Sequence, residues 1–255
     1  MQYVLSKEEI YFLSVLAGAQ EVLGIEDIFM DQSDEEVIQK KWSQISKGLL
    51  EKGYIIQHEE NNLTIQEEIA KFLSVILLPE VALAVSSSET EAGTPSDYIY
   101  VKPYMAVHLH NGKECVLTTF EGKSDFFNFI EEFFGFPRLD LSSNQYMLTI
   151  SAKELDQVFE SVYLGKGQEG LAYLQGYGVS DSELESMIKT LVNPKTGKTI
   201  LAFRFSDKGE SQALIKVATS DYGVWLLKTK SEDEYEYASI YRLGKDEMAA
   251  ALFSF

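Results

Sequence analysis

A capped helix that runs through a proline into a strand occurs twice in this chain, and that repetition limits the folds open to it. In the first copy Ile65, Ile69, Phe72, Leu73 and Ile76 recur at helical spacing. Thr64 stands before them and Glu67 three residues on, the pattern of a capping box. Pro79 ends the helix, because its ring drives the preceding residue out of the α conformation. Residues 81–85 (VALAV) then read as a buried strand. In the second copy Ser180 and Glu183 form the box, and Leu184, Met187, Ile188, Leu191 and Val192 repeat the apolar face. Pro194 stops that helix, and 199–203 (TILAF) resumes as strand.

Further landmarks recur in the same order. Ser6 and Glu9 match Ser151 and Glu154, Gly53-Tyr54 matches Gly176-Tyr177, and the run from Gly122 to Asp125 matches that from Gly244 to Glu247. The expectation is an α/β (α+β) fold with a central, mostly antiparallel sheet flanked by helices. Two pseudo-symmetric halves, 1–135 and 145–255, arise from an internal duplication and join into one globular domain, with 136–144 as hinge. A helix over 33–50 is extra to the first half.

Along the chain, Ser6 and Glu9 cap a first helix bearing Ile10, Leu13, Leu16 and Ala17 on one face. Ser33 and Glu36 cap the extra helix, its stripe is Ile38, Trp42, Ile45 and Leu49, and Gly53 closes it. A strand at 54–57 and a turn at 58–62 follow. Residues 86–97 (SSSETEAGTPSD) read as an exposed loop. Strands are expected at 98–101, 104–110 and 115–120, the last two joined by a two-residue Asn111-Gly112 turn. Residues 124–134 form a phenylalanine-rich helix closed by Gly135. Residues 151–162 form a capped helix bearing Leu155, Val158, Phe159 and Val162. Strands follow at 199–205, 213–219, 222–229 and 235–241, and a helix at 245–253.

Composition narrows the function. With a single cysteine, Cys115, no disulfide forms within the chain, and a reducing compartment is implied. The first residues carry acidic groups and no continuous apolar run, unlike a signal peptide. The most apolar stretch, 72–85, is broken by Ser74, Pro79 and Glu80, so no membrane insertion is expected and the protein reads as cytoplasmic. A net charge of -18 repels phosphate backbones, and Arg138, Arg204 and Arg242 are the only arginines available for bidentate phosphate contact.

Few residues suggest chemistry. With a two-residue turn, His108 faces Cys115 and shares a sheet side with His110, and two histidines and a thiol are the start of a zinc site. No fourth ligand is evident nearby, a half-exposed sheet face with an incidental thiol fits as well, and no metal is assigned. His58, the remaining histidine, lies in a polar turn. No nucleophile elbow, phosphate loop or dinucleotide fingerprint is present, so neither catalytic residues nor a cofactor are expected and the chain reads as non-enzymatic.

Residues 33–65 suggest a winged helix, and a transcriptional regulator is the alternative function. Lys40, Lys41, Lys47 and Lys52 favour that alternative. Asp34, Glu35 and Glu36 at the helix entry, and the acidic wing from His58, oppose it. The aromatic cluster over 126–136 reads as core, or as an interaction site wherever it is exposed.

Gly48-Leu-Leu-Glu-Lys-Gly-Tyr54, followed by a polar turn, a helix and Leu78-Pro-Glu80 leading into a strand, resembles the EspG family of cytosolic type VII (ESX) secretion chaperones. Lys52 stands where that family often has arginine. The resemblance implies an antiparallel sheet flanked by helices in two pseudo-two-fold halves. It also implies a role without chemistry: gripping the helical tip of a secretion substrate and keeping it soluble. The contact surface would draw on the sheet, C-terminal helices and an early loop, here 86–97 by position. The partner implied is a helical secreted protein of WXG, LXG or PE–PPE-like type. The sequence leaves its identity, the binding face and the oligomeric state open.

Overall fold

A computed structural model describes residues 2–19, 21–26, 28–29, 34–58, 62–87, 95–102, 105–111, 115–120, 123–135, 145–164, 166, 169–170, 172, 174, 176–178, 180–192, 196–206, 209–220, 223–232 and 235–242. The chain divides into two compact units, Met1–Ala84 with Pro95–Gly122, and Val85–Thr94 with Lys123–Phe255. The fold is α+β, with extensive antiparallel sheet flanked by helices. The expected hinge at 136–144 and the closing helix at 245–253 lie outside the described residues.

The first unit opens with β1 (Gln2–Leu5) and α1 (Lys7–Leu16). Its N-terminus carries the expected capping box: Glu9 N–H donates to Ser6 Oγ at 3.1 Å, and Ser6 N–H to Glu9 Oε2 at 2.9 Å. Next come α2 (Glu35–Glu51), the hairpin β2 (Ile55–Gln57) and β3 (Leu63–Ile65), and α3 (Glu67–Leu77). The strands β4 (Val81–Ser87), of which the residues after Ala84 are counted with the second unit, β5 (Asp97–Lys102), β6 (Met105–Asn111) and β7 (Cys115–Phe120) complete it. Sheet order is β1-β7-β6-β5-β4. Gly53 has φ +71°, the left-handed conformation that closes α2 after Lys52. The core gathers Ile10, Phe12 and Leu13 of α1, Leu49 of α2, Ile69, Phe72 and Ile76 of α3, and Ile99, Tyr100, Val107 and Leu109 of the sheet.

Two of the expected caps are different. Asp34 caps α2, its Oδ1 accepting from the Glu36 and Val37 N–H groups; Ser33 lies outside the described residues. Gln66, not Thr64, caps α3, its Oε1 accepting from Glu68 N–H at 2.8 Å and Ile69 N–H at 3.2 Å. Thr64 and Ile65 both belong to the hairpin, paired with Ile56 and Ile55, so Ile65 is extended where a cap at Thr64 would need it helical, and the helix starts only at Glu67.

The second unit contains α4 (Lys123–Phe134), β8 (Gln145–Ser151), α5 (Ala152–Tyr163) and α6 (Asp181–Val192). Four long strands follow: β9 (Thr196–Ser206), β10 (Gly209–Ser220), β11 (Gly223–Glu232) and β12 (Tyr235–Arg242). Their order is β9-β10-β11-β12-β8. Ser151 and Glu154 reproduce the capping box of α1, with Glu154 N–H to Ser151 Oγ at 3.2 Å and Ser151 N–H to Glu154 Oε2 at 3.1 Å. Leu155 and Val158 of α5 and Leu184 and Met187 of α6 pack on Trp225, Leu227 and Ile240. Of the aromatic cluster, Ile130 and Phe134 are buried, Phe133 stacks on Phe129, and Lys198 Nζ lies 4.0 Å from the Phe133 ring centre.

The two units are wound alike. In each, the first strand leads directly into a Ser/Glu-capped helix and pairs antiparallel with the last strand, β1 with β7 and β8 with β12. From there the strands step back in order toward the one that follows the helices. α2 and the β2–β3 hairpin have no counterpart among the second unit's described residues.

Candidate functional site

The alternation along β9 and β10 produces an outward apolar strip in the second unit. Ile200, Ala202, Ala213 and Ile215 are buried on one face. The intervening residues Leu201 and Leu214 face each other across the ladder and are 38% and 39% exposed. Phe203 and Phe205 continue the strip, their rings stacked at 6.5 Å, and Phe205 is 36% exposed. Gln212 and Lys216 of β10 border it, opposite Phe203 and Thr199. Strands need only one apolar face to join a core, so a second apolar face rimmed by polar groups is the mark of a surface that meets another molecule.

A polar cluster lies in the first unit. Asp97 opens β5 and is 5% exposed, although its sequence neighbourhood reads as loop. His108 Nε2 and His110 Nδ1 both reach Asp97 Oδ1, at 2.7 and 2.8 Å, and Ser96 Oγ donates to Oδ2 at 2.7 Å. Burial pushes the Asp97 carboxyl up, but the hydrogen bonds from His108, His110 and Ser96 outweigh it and hold the group down at about 2.

The register corrects the expected third member. Cys115 pairs with Asn111, leaving a three-residue connection where two were expected, and His108 pairs with Thr118. Asp97, at the far end of a polar stretch, takes the place expected of Cys115; a charged residue at a strand's first position, opposite a histidine, was the available signal.

His58 Nε2 lies 2.8 Å from Thr64 Oγ1 at the surface of the β2–β3 hairpin. That hairpin does sit between α2 and α3, as a wing would. Three of the four lysines beside it meet carboxylates: Lys41 with Glu8 at 3.9 Å, Lys47 with Glu51 at 3.9 Å and Lys52 with Glu9 at 2.8 Å. Of the loop 86–97, Ser86 and Ser87 belong to β4, and 88–94 lie outside the described residues. No described helix is long and apolar enough to cross a membrane.

These features define an α+β protein built on antiparallel sheet and flanking helices, with an exposed apolar strip. No protein-family model matches the chain, and no curated protein does. Among solved structures, it is similar to the Mycobacterium tuberculosis type VII secretion system chaperone EspG5, seen in complex with the PE25-PPE41 dimer. The TM-score is 0.63 over 99% of this chain and 94% of that one, at 9% sequence identity. At that identity the likeness is one of fold.

Proposed function

We propose that this chain is an EspG-like cytosolic chaperone or adaptor, which binds the apolar end of a helical type VII secretion substrate and performs no chemistry. The observation that carries the proposal is the likeness of fold to a secretion chaperone along 99% of the chain. The strip of Leu201, Phe203, Phe205 and Leu214 supports it, because a helical hairpin end presents apolar side chains that such a strip can cover. The common winding of the two units supports descent of the halves 1–135 and 145–255 from one module. A winged-helix regulator is the second reading, favoured by the β2–β3 hairpin between two helices and opposed by the pairing of Lys41, Lys47 and Lys52 with carboxylates.

Co-expression with small helical type VII secretion proteins tests the proposal. The expected result is a complex that co-elutes on size exclusion. Failure with every such protein, together with duplex DNA binding at physiological salt, selects the regulator.

A further inference from the structure

β5 and β6 bring three metal-ligand groups onto one sheet face. Asp97 stands opposite His110 in the ladder, and His108, two residues back along β6, falls on the same side by the strand's period of two. One carboxylate oxygen and one nitrogen of each ring all lie within 4.8 Å of one another.

We propose that Asp97, His108 and His110 form a site for one divalent first-row cation, zinc above all, with solvent completing a four-coordinate shell. Two imidazoles and a carboxylate are donors that zinc accepts, and three protein ligands plus water is a recurring zinc arrangement. Zinc bonds of about 2.0–2.1 Å set tetrahedral donor atoms roughly 3.3 Å apart. The Asp97–histidine distances of 2.7 and 2.8 Å need to open by about half an ångström to admit the ion.

Each ring nitrogen aimed at Asp97 becomes a ligand when its proton sits on the ring's other nitrogen, a tautomer change that leaves a neutral imidazole neutral. Ser96 Oγ, on the second carboxylate oxygen, orients the acid as supporting groups do in metal sites. His110, whose side chain is 53% exposed against 7% for Asp97, gives the ion a way in. The site is independent of the proposed chaperone role, and the register pairs Cys115 with Asn111 rather than with His108.

Calorimetric titration of the chelator-treated full chain with zinc chloride at neutral pH tests the site. The expected result is one ion per chain, with affinity reduced at least about tenfold in His110→Ala and in Asp97→Asn, and unchanged in Cys115→Ser. His110→Ala alters an exposed ring, so it remains informative even if Asp97→Asn does not fold. Absence of saturable binding, binding that survives His110→Ala, or binding abolished by Cys115→Ser overturns the proposal.

Discussion

Lys52 Nζ donates to both carboxylate oxygens of Glu9 at 2.8 Å, fastening the C-terminal cap of α2 to the N-terminal capping box of α1. Glu9 thus serves two partners, since its Oε2 also accepts from Ser6 N–H. The Glu9 side chain is 11% exposed and that of Lys52 43%, so solvent screens the pair only in part. Lys52→Met is expected to cost about 1 kcal/mol in urea unfolding, and Lys52→Arg much less because the fork still reaches the carboxylate. Glu9→Gln is expected to cost more than Lys52→Met, because it weakens the cap as well.

Asp97 makes the stability of the metal-free protein depend on acid. Its folded carboxyl lies at about 2, below the ordinary 3.8, so the folded state holds the proton more weakly than the unfolded one. The resulting stabilisation, about 2 kcal/mol, is complete above the unfolded value and is lost as pH falls through the interval down to the folded one. Asp97→Asn is expected to lower stability at neutral pH and to flatten the fall in melting temperature between about pH 5 and pH 2. An unchanged acid slope contradicts this assignment.

Ser14 lies in α1 at 2% exposure, and its Oγ has no hydrogen-bond partner among the described residues. It lines a small surface pocket with Tyr11, Val15, Val22 and Ile25. A buried hydroxyl without a partner costs free energy, and alanine is the better helix former. Ser14→Ala is therefore expected to raise stability by about 1 kcal/mol, read as a higher urea midpoint with an unchanged slope.

Gly24 is held at φ +77°, and a Cβ there would lie 2.6 Å from the ring of buried Tyr98. Both the backbone conformation and the contact exclude a side chain. Gly24→Ala is expected to destabilise by about 2 kcal/mol or more, and pairing it with Tyr98→Leu to recover part of that loss, as a thermal-melt double-mutant cycle would show.

Local signals carried much of the fold. The apolar stripe of α3, the Ser6–Glu9 and Ser151–Glu154 boxes and the Gly53 stop are set by neighbours a few residues apart, and each forms. What escaped depends on distant partners. β1 and β8 each pair with a strand remote in sequence, so neither is announced by a hairpin. Thr64 carried a valid capping pattern, but its hairpin with Ile56 captured the backbone first. The polar cluster was half legible: the spacing of His108 and His110 put them on one face. Its acid could not be told from the loop before it, and a one-residue difference in turn length moved Cys115 out of step. Along β9 the sequence carries apolar residues on both faces, Leu201, Phe203 and Phe205 alternating with Ile200 and Ala202, yet which face the core would take was settled only by packing.

The apolar strip is where the account meets its hardest test. Leu201→Asp and Leu214→Asp place charge on an outward face and are expected to fold, whereas the same change at Ile200 or Ile215 would charge the core. The decisive measurement is calorimetric titration of the purified chain with a purified helical type VII secretion substrate, wild type beside Leu201→Asp. The expected result is saturable one-to-one binding that the substitution weakens at least about tenfold, the loss of roughly 1.4 kcal/mol or more. Equal affinity in the two proteins, or no binding by the wild type to any such substrate, contradicts the account.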